Sequence, residues 1–113
     1  MRVLIVEPLK EPYVKNIPNT LEAKQEIVGG LIQSIYPFDR PEIALICNDE
    51  GKLMGLPLNR ALFDEDGNIV DIICGTFFLC SAPSNSESFE SLTDEQIEKY
   101  RKRFDAIEFY IKY

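Results

Sequence analysis

The side chains best suited to recognition chemistry in this sequence are those of Asn59 and Arg60, which follow an irregular Gly-Leu-Pro run at residues 55–57. An arginine guanidinium donates paired hydrogen bonds to a carboxylate or phosphate, and an asparagine amide can read another amide or a base edge. We therefore predict that both residues contact a ligand or a partner. A structural role is an equally natural alternative, in which Asn59 caps a turn and Arg60 pairs with Asp64 or Asp71.

Four further side chains are predicted to join them around a small anionic ligand such as a nucleotide signal. Lys10, Tyr13 and Lys15 lie in a short segment near the N-terminus, and Thr76 lies within an apolar run. Residues 1–60 carry seven basic and eight acidic side chains, so this half of the chain is the better place for an anion. The alternative for the N-terminal group is a solvated hairpin without a ligand.

The second half of the chain is acidic and offers a different kind of binding surface. Residues 61–113 carry five basic and eleven acidic side chains, which give most of the net charge of −7. The face of the last helix and four acids are candidates for contact with a basic protein. The four acids are Asp64, Glu65, Asp66 and Asp71. They do not fit a calcium loop, because Leu62 stands where a first ligand is required, so we predict a solvated turn and no metal.

The composition argues against several functional classes. The sequence has no histidine, which is the commonest general base and metal ligand. Its glycines never form a phosphate-cradling loop followed by Lys and Ser or Thr. We therefore predict no catalytic residues and no cofactor, and we keep a small cytosolic enzyme acting on a nucleotide-like substrate as an alternative. The excess of acid argues against direct nucleic-acid binding.

The cysteines and the apolar runs bear on the compartment. Cys47, Cys74 and Cys80 lie in apolar segments and are predicted to be buried, reduced thiols, which favours a reducing compartment. No apolar run approaches the length of a membrane span, and the N-terminus lacks the pattern of a signal peptide. We therefore expect a cytoplasmic protein without membrane contact.

The hydrophobic pattern predicts one α+β domain over residues 1–113, with a twisted, mainly antiparallel sheet and two helices packed on it. The predicted strands cover residues 2–7, 13–17, 31–36, 42–48, 52–56 and 69–79, of which the first two form a hairpin and the last is one central strand. Residues 57–63 fit a helical turn, and residues 64–68 a tight turn. The Ser-rich residues 81–91 are predicted to be a flexible loop, and residues 107–113 either an edge strand or a tail.

Both predicted helices carry capping signals. The first covers residues 20–28, with Asn19 as N-cap, Glu22 three residues later and Gly29 at the C-terminal end. The second begins after Thr93, whose capping box is completed by Gln96. Its predicted buried face consists of Ile97, Tyr100 and Phe104.

Several segments of this sequence resemble the uncharacterised family known as domain of unknown function 3846. They are MRVLIVEPLKEPYVKNI, LEAKQEIVGG, YPF at 36–38, ICNDEGKLMGLPLNRAL, DEDGNIVDIICGTFF and LTDEQIEKY. The resemblance runs from Val3 to about Phe104. Members commonly have Pro-Gly-Lys where this chain has Pro8, Leu9 and Lys10, so we expect this turn to differ.

The resemblance implies a biological context without an activity. Members are small proteins of Gram-positive gut bacteria, their phages and their mobile elements, often encoded near antirestriction genes. We therefore expect a non-enzymatic accessory protein that binds a host component in counter-defence, either by sequestering the small anionic ligand or by binding a host protein. An acidic DNA-mimic protein of the antirestriction type is a further alternative, and an exposed edge strand would favour a homo-oligomer. The resemblance directs attention to Gly55, Pro57, Asn59, Arg60, Gly75, Thr76 and Phe77.

Overall fold

The computed structural model describes residues 1–38 and 42–107. Within these residues the chain forms an α+β fold with antiparallel strands, which confirms the predicted fold class. The strands are β1 (Arg2–Val6), β2 (Tyr13–Asn16), β3 (Ile32–Ile35), β4 (Ile43–Asn48), β5 (Leu58–Phe63), β6 (Ile69–Cys74) and β7 (Phe77–Ser81). The helices are α1 (Leu21–Val28) and α2 (Asp94–Arg103).

Five strands form one sheet in the order β2-β1-β7-β4-β3. β1 and β2 form the predicted N-terminal hairpin, in which Val3 lies opposite Lys15. The central strand is β7, which places Leu79 between Leu4 of β1 and Leu45 of β4. These three strands are buried along almost their whole length, which explains why their sequences are continuous apolar runs.

Both faces of this sheet are covered, and side chains alternate between them along each strand. On one face, Val3, Ile5 and Phe78 form a core with Val28 of α1. On the other face, a larger core joins the sheet to α2 and to the hairpin of β5 and β6. That core includes Leu4, Val6, Leu45, Phe77, Leu79, Tyr100, Phe104, Leu62 and Ile73.

The ends of the two helices test the predicted caps. The Thr93 hydroxyl accepts a hydrogen bond from the backbone N–H of Gln96, whose side chain accepts one from the backbone of Thr93, so the predicted capping box of α2 is confirmed. The predicted N-cap of α1 is wrong. Thr20 has the extended backbone of an N-cap and accepts from Ala23, because the Asn19 side chain instead donates to the carbonyl of Phe89.

Residues 52–79 depart from the prediction in three places. Residues 52–56 form turns and no return strand, and residues 57–63 contain strand β5 where one helical turn was predicted. The predicted single strand over residues 69–79 is two strands in two different sheets. Gly75 separates them at φ +82°, and its N–H donates to the carbonyl of Pro57 at 2.7 Å. That left-handed backbone redirects the chain out of the hairpin of β5 and β6 and into the centre of the five-stranded sheet.

The remaining predictions concern the loop, the tail and the thiols. Ser81 belongs to β7 and forms a bridge with Glu90, so the irregular segment begins one residue later than predicted. Of the predicted tail, residues 108–113 lie outside the described residues. The three cysteines are buried and free, as predicted. No helix among the described residues is long and apolar enough to cross a membrane.

The turn after β1 carries a strained residue. Leu9 has φ +62° and is the one non-glycine residue in the described part of the chain with positive φ. It is the third residue of a turn closed by a hydrogen bond from the Lys10 N–H to the Glu7 carbonyl, a position that favours glycine when φ is positive. Strain at this position costs about 1 kcal/mol, since a left-handed backbone brings Cβ close to the next carbonyl oxygen.

We therefore expect Leu9→Gly to raise the free energy of unfolding by about 1 kcal/mol, measured by urea denaturation. Leu53→Gly is the matched control, because Leu53 is also an exposed leucine in a turn but is not among the residues of positive φ. There glycine is expected to lower stability slightly, through the greater backbone entropy of the unfolded chain. Since the same entropy cost acts at residue 9, a Leu9→Gly variant no more stable than Leu53→Gly would contradict the strain.

Candidate functional site

Asn59 lies in β5 with no exposed surface and makes contacts inside the protein. Its Nδ2 donates to the carbonyl oxygens of Val6 and Gly75, each at 2.9 Å. Its Oδ1 accepts a hydrogen bond from the Arg60 guanidinium, also at 2.9 Å. Asn59 therefore ties β5 to the end of β1 and to the junction between β6 and β7. These are the contacts of a residue that holds elements together.

The Arg60 guanidinium is equally enclosed, with no exposed surface. Its Nε donates to the carbonyl of Phe104 at 3.2 Å, and one terminal nitrogen donates to the carbonyl of Lys10 at 2.7 Å. Arg60 thus joins β5 to the loop after β1 and to the end of α2. Asp71, one of the acids considered as its partner, forms an ion pair with Lys52. The contacts of Arg60 agree with the structural alternative, although its partners differ from those expected.

A cleft opens beside α1, because this helix has only eight residues and packs mainly over β3 and β4. The part of the same sheet face that belongs to β1 and β2 extends beyond the helix. The alternation of side chains along the strands places Tyr13 and Lys15 on this face, together with Glu7 and Thr76, which lie just past the ends of their strands. The result is a cleft of about 360 Å³ between the sheet and α1.

The cleft is open to solvent on one side, and its lining is more polar than apolar. The apolar side chains are those of Ile5, Ile17, Pro18, Ala23 and Ile27. The polar groups are those of Glu7, Tyr13, Lys15, Asn16, Glu26 and Thr76. A cleft of this volume, with several converging polar groups beside apolar side chains, is large enough for a small molecule.

The charges in the cleft are mixed. Lys15 supplies an ammonium group, and Glu7 and Glu26 supply carboxylates. Partial burial raises the pKa of Tyr13, and its hydrogen bond with the Glu7 side chain raises that pKa further. The Tyr13 hydroxyl is therefore protonated at neutral pH and is the donor in its hydrogen bond with Glu7. The cleft offers cationic and hydroxyl donors together with carboxylate acceptors.

The other predicted residues lie outside this cleft. Lys10 is exposed in the loop after β1, where its carbonyl accepts from Arg60. Asp64, Glu65 and Asp66 are exposed at the turn between β5 and β6. The Asp64 carboxylate accepts hydrogen bonds from two backbone N–H groups of that turn, which stabilise its shape. The structure therefore brings together Tyr13, Lys15 and Thr76 and leaves the acids on a separate surface.

A smaller cleft is lined by an ion pair and by cysteine thiols. Its volume is about 130 Å³, and the groups that line it are the Lys52–Asp71 ion pair and the thiols of Cys47 and Cys74. Burial raises the pKa of Cys47 to about 11, with smaller contributions from nearby carboxylates, so this thiol is protonated at neutral pH and a weak nucleophile. Within residues 1–38 and 42–107 no group of three or more cysteine and acidic side chains is arranged to hold a metal ion.

Comparison with known proteins places the chain in a family. The family model described as Domain of unknown function (DUF3846) matches residues 1–105. The chain belongs to this family. The search of curated proteins and the search of solved structures both found no match.

Three polar residues of the cleft in this DUF3846 protein were missed by sequence reasoning, namely Glu7, Asn16 and Glu26. The signal that places Glu7 is the period-two alternation, since it lies two residues beyond Ile5 on the face that carries Tyr13 and Lys15. Glu26 follows Ala23 by three residues, which is one helical turn. Neither pattern shows that α1 and the hairpin of β1 and β2 enclose a common space.

Proposed function

We propose that this DUF3846 protein is a non-enzymatic accessory protein of a phage or mobile element that sequesters a small host molecule in the cleft beside α1. The observation that carries the proposal is the convergence of Tyr13, Lys15 and Thr76 on one cleft of about 360 Å³. Tyr13 and Lys15 lie two residues apart in β2, and Thr76 comes from a distant part of the sequence. The buried free thiols agree with a cytoplasmic site of action, where thiols stay reduced.

The chemistry of the cleft favours a ligand with an anionic end and a hydrogen-bond-donating end. The Lys15 ammonium and the Thr76 hydroxyl suit a phosphate or carboxylate. The carboxylates of Glu7 and Glu26 are acceptors, and they suit the amino or imino groups of a nucleobase. A nucleotide-like molecule combines both ends, with its base packed against the apolar side chains of the cleft.

The test is thermal unfolding of the protein against a panel of nucleotides and cyclic nucleotides. A nucleotide present at a hundred times its dissociation constant adds about 2.7 kcal/mol to the free energy of unfolding, which raises the midpoint by several degrees. We expect Lys15→Ala to abolish this rise, because it removes the ammonium from the cleft. Lys10→Ala is the matched control and is expected to keep the rise, since Lys10 lies outside the cleft.

Two results would contradict the proposal. One is an unchanged midpoint across the whole panel. The other is an equal loss of response in Lys10→Ala and Lys15→Ala, which would assign the response to the general charge of the N-terminal hairpin.

A second candidate function is contact with a basic host protein through the turn between β5 and β6. The observation that favours it is that the exposed acids at 64–66 lie beside exposed apolar side chains of the same hairpin, Phe63 and Ile69. An apolar contact rimmed by acids suits a partner with a basic rim.

Capture of partners from host lysate at low and high salt tests this second function. Contact through the acids is expected to weaken with salt, because exposed charges are screened. Glu65→Lys should abolish capture, whereas the same change at exposed Glu87 in the Ser-rich loop should leave it intact. Capture that is insensitive to both salt and Glu65→Lys would exclude this surface.

A further inference from the structure

The two edge strands of the five-stranded sheet differ in their protection against pairing with another chain. The strand order places β2 at one edge and β3 at the other. β2 carries the charged Lys15 and is flanked by Pro12 and Pro18. Charge and proline are the usual means by which natural proteins prevent edge-to-edge association. The β2 edge is therefore protected against pairing with another chain.

The β3 edge is less protected than the β2 edge, because β3 has no charged residue and a proline, Pro37, flanks it on one side only. From Leu31 to Tyr36 the sequence is LIQSIY, with no charged residue and no proline. Leu31 is 57% exposed and Tyr36 is 51% exposed, so apolar surface flanks the strand at both ends. In a chain of net charge −7, this uncharged segment is a place where two copies can meet without repulsion across the contact.

The register of β3 on β4 shows which backbone groups point away from the sheet. The N–H of Asp49 donates to the carbonyl of Leu31 at 2.8 Å, and Gln33 and Ile35 lie opposite Cys47 and Leu45. Hydrogen-bonded pairs recur at every second residue of an antiparallel ladder. Leu31, Gln33 and Ile35 thus bond to β4. The N–H and C=O groups of Ile32, Ser34 and Tyr36 point outward.

We propose that β3 pairs antiparallel with β3 of a second copy of this chain, about a twofold axis at Ser34, to form a continuous ten-stranded sheet. In this register the outward-pointing backbone N–H and C=O groups of the two copies face each other. Ser34 lies opposite the partner's Ser34, and Ile32 lies opposite the partner's Tyr36. The contact is self-complementary, as a twofold interface requires. It also places an isoleucine beside a tyrosine across the strands, which is a stabilising cross-strand pair.

The mass of the protein in solution tests the proposal, measured by sedimentation velocity over a range of concentrations. The wild type is expected to approach twice the single-chain mass of 13.0 kDa as its concentration rises. Ser34→Lys places two ammonium groups opposite each other at the axis, and we expect it to raise the dissociation constant by up to about fivefold. Ser84→Lys is the matched control and should dimerise like the wild type, because Ser84 is exposed in the loop after β7.

Amide hydrogen exchange locates the contact within the dimer. In the wild type, exchange of the Ser34 amide is expected to slow as concentration rises, while the Gln33 amide, already bonded to β4, changes little. A single-chain mass at every concentration would overturn the proposal. The β3 edge would then be available only for pairing with a strand of a different protein. A dimer that Ser34→Lys leaves intact, with rapid exchange at Ser34, would also overturn it.

Discussion

Arg60→Ala is expected to lower the free energy of unfolding by about 4 kcal/mol, because two buried acceptors and one partly buried acceptor each lose a donor. The substitution removes the donors that serve the carbonyls of Phe104 and Lys10 and the Asn59 amide oxygen. Each buried acceptor left without a donor costs about 1–3 kcal/mol, and the lost side chain leaves a cavity. Small domains are stable by only about 5–15 kcal/mol, so the variant approaches the limit of folding.

The measurement is urea denaturation followed by circular dichroism, with Arg60→Lys beside Arg60→Ala. Lysine keeps the charge but loses the planar fork that reaches separate acceptors, so its loss of stability is expected to be smaller than that of alanine. The Arg60→Ala midpoint of thermal unfolding should fall by about 15 °C or more. An Arg60→Ala protein as stable as the wild type would show that the enclosed guanidinium does not hold these elements together.

This result also separates the two roles that the sequence left open for Arg60. Arginine is suited to binding anions, and Arg60 follows an irregular segment. The sequence alone does not show whether its guanidinium is exposed to solvent or hydrogen-bonded to carbonyls of the protein. The answer depends on Lys10 and Phe104, which are distant in sequence and come close only when α2 and the loop after β1 pack against β5. Residue type predicts the chemistry of a side chain, and long-range packing decides its partner.

The elements predicted correctly are those whose signals are local. The capping box at Thr93 and Gln96 and the apolar spacing after it define α2 within a few residues of sequence. The turn between β5 and β6 is likewise set by its own residues, with Gly67 at φ +82° and the Asp64 side chain bonded to the turn backbone. Such signals need no knowledge of the rest of the chain.

The elements predicted wrongly depend on distant partners. Residues 57–63 have spacing that fits a helical turn, but pairing with β6 imposes a strand. The mostly apolar run at 69–79 gives no sign of two strands apart from Gly75, and a glycine within a strand is also compatible with a simple bulge. In α1, the choice between Asn19 and Thr20 as cap was decided by the carbonyl of Phe89, 70 residues away along the chain.

In the cleft, too, local signals were readable from the sequence and long-range packing was not. The chemical types of Tyr13 and Lys15 marked them as candidates, and the family resemblance marked Thr76. Period-two alternation places all three on one sheet face. Their common cavity exists because α1 is short and packs over β3 and β4. The length of α1 was predicted from its end signals, whereas its position over the sheet was not. Glu7 and Glu26 became relevant only once that position was known.

Asn59→Leu is expected to lower the free energy of unfolding by about 3 kcal/mol or more, through loss of three buried hydrogen bonds. Leucine has a similar size and fits the buried space, so the cost arises mainly from the former partners of the amide. The carbonyls of Val6 and Gly75 lose a donor, and the Arg60 guanidinium loses one acceptor, each at 2.9 Å inside the protein. The same change at exposed Asn85 is the matched control and should alter stability by less than about 0.5 kcal/mol.

The Asn59 amide also joins the two sheets of the protein, and Asn59→Leu tests this joint. Val6 ends β1, and Gly75 is the point at which the chain leaves the hairpin of β5 and β6 for the five-stranded sheet. One side chain therefore fastens the smaller sheet to the larger one. Amide exchange in β5 and β6 of Asn59→Leu is therefore expected to accelerate more than exchange in β4, because the hairpin loosens before the central strands. Equal acceleration in all three strands would mean that the hairpin and the five-stranded sheet unfold as one unit, without a local joint at Asn59.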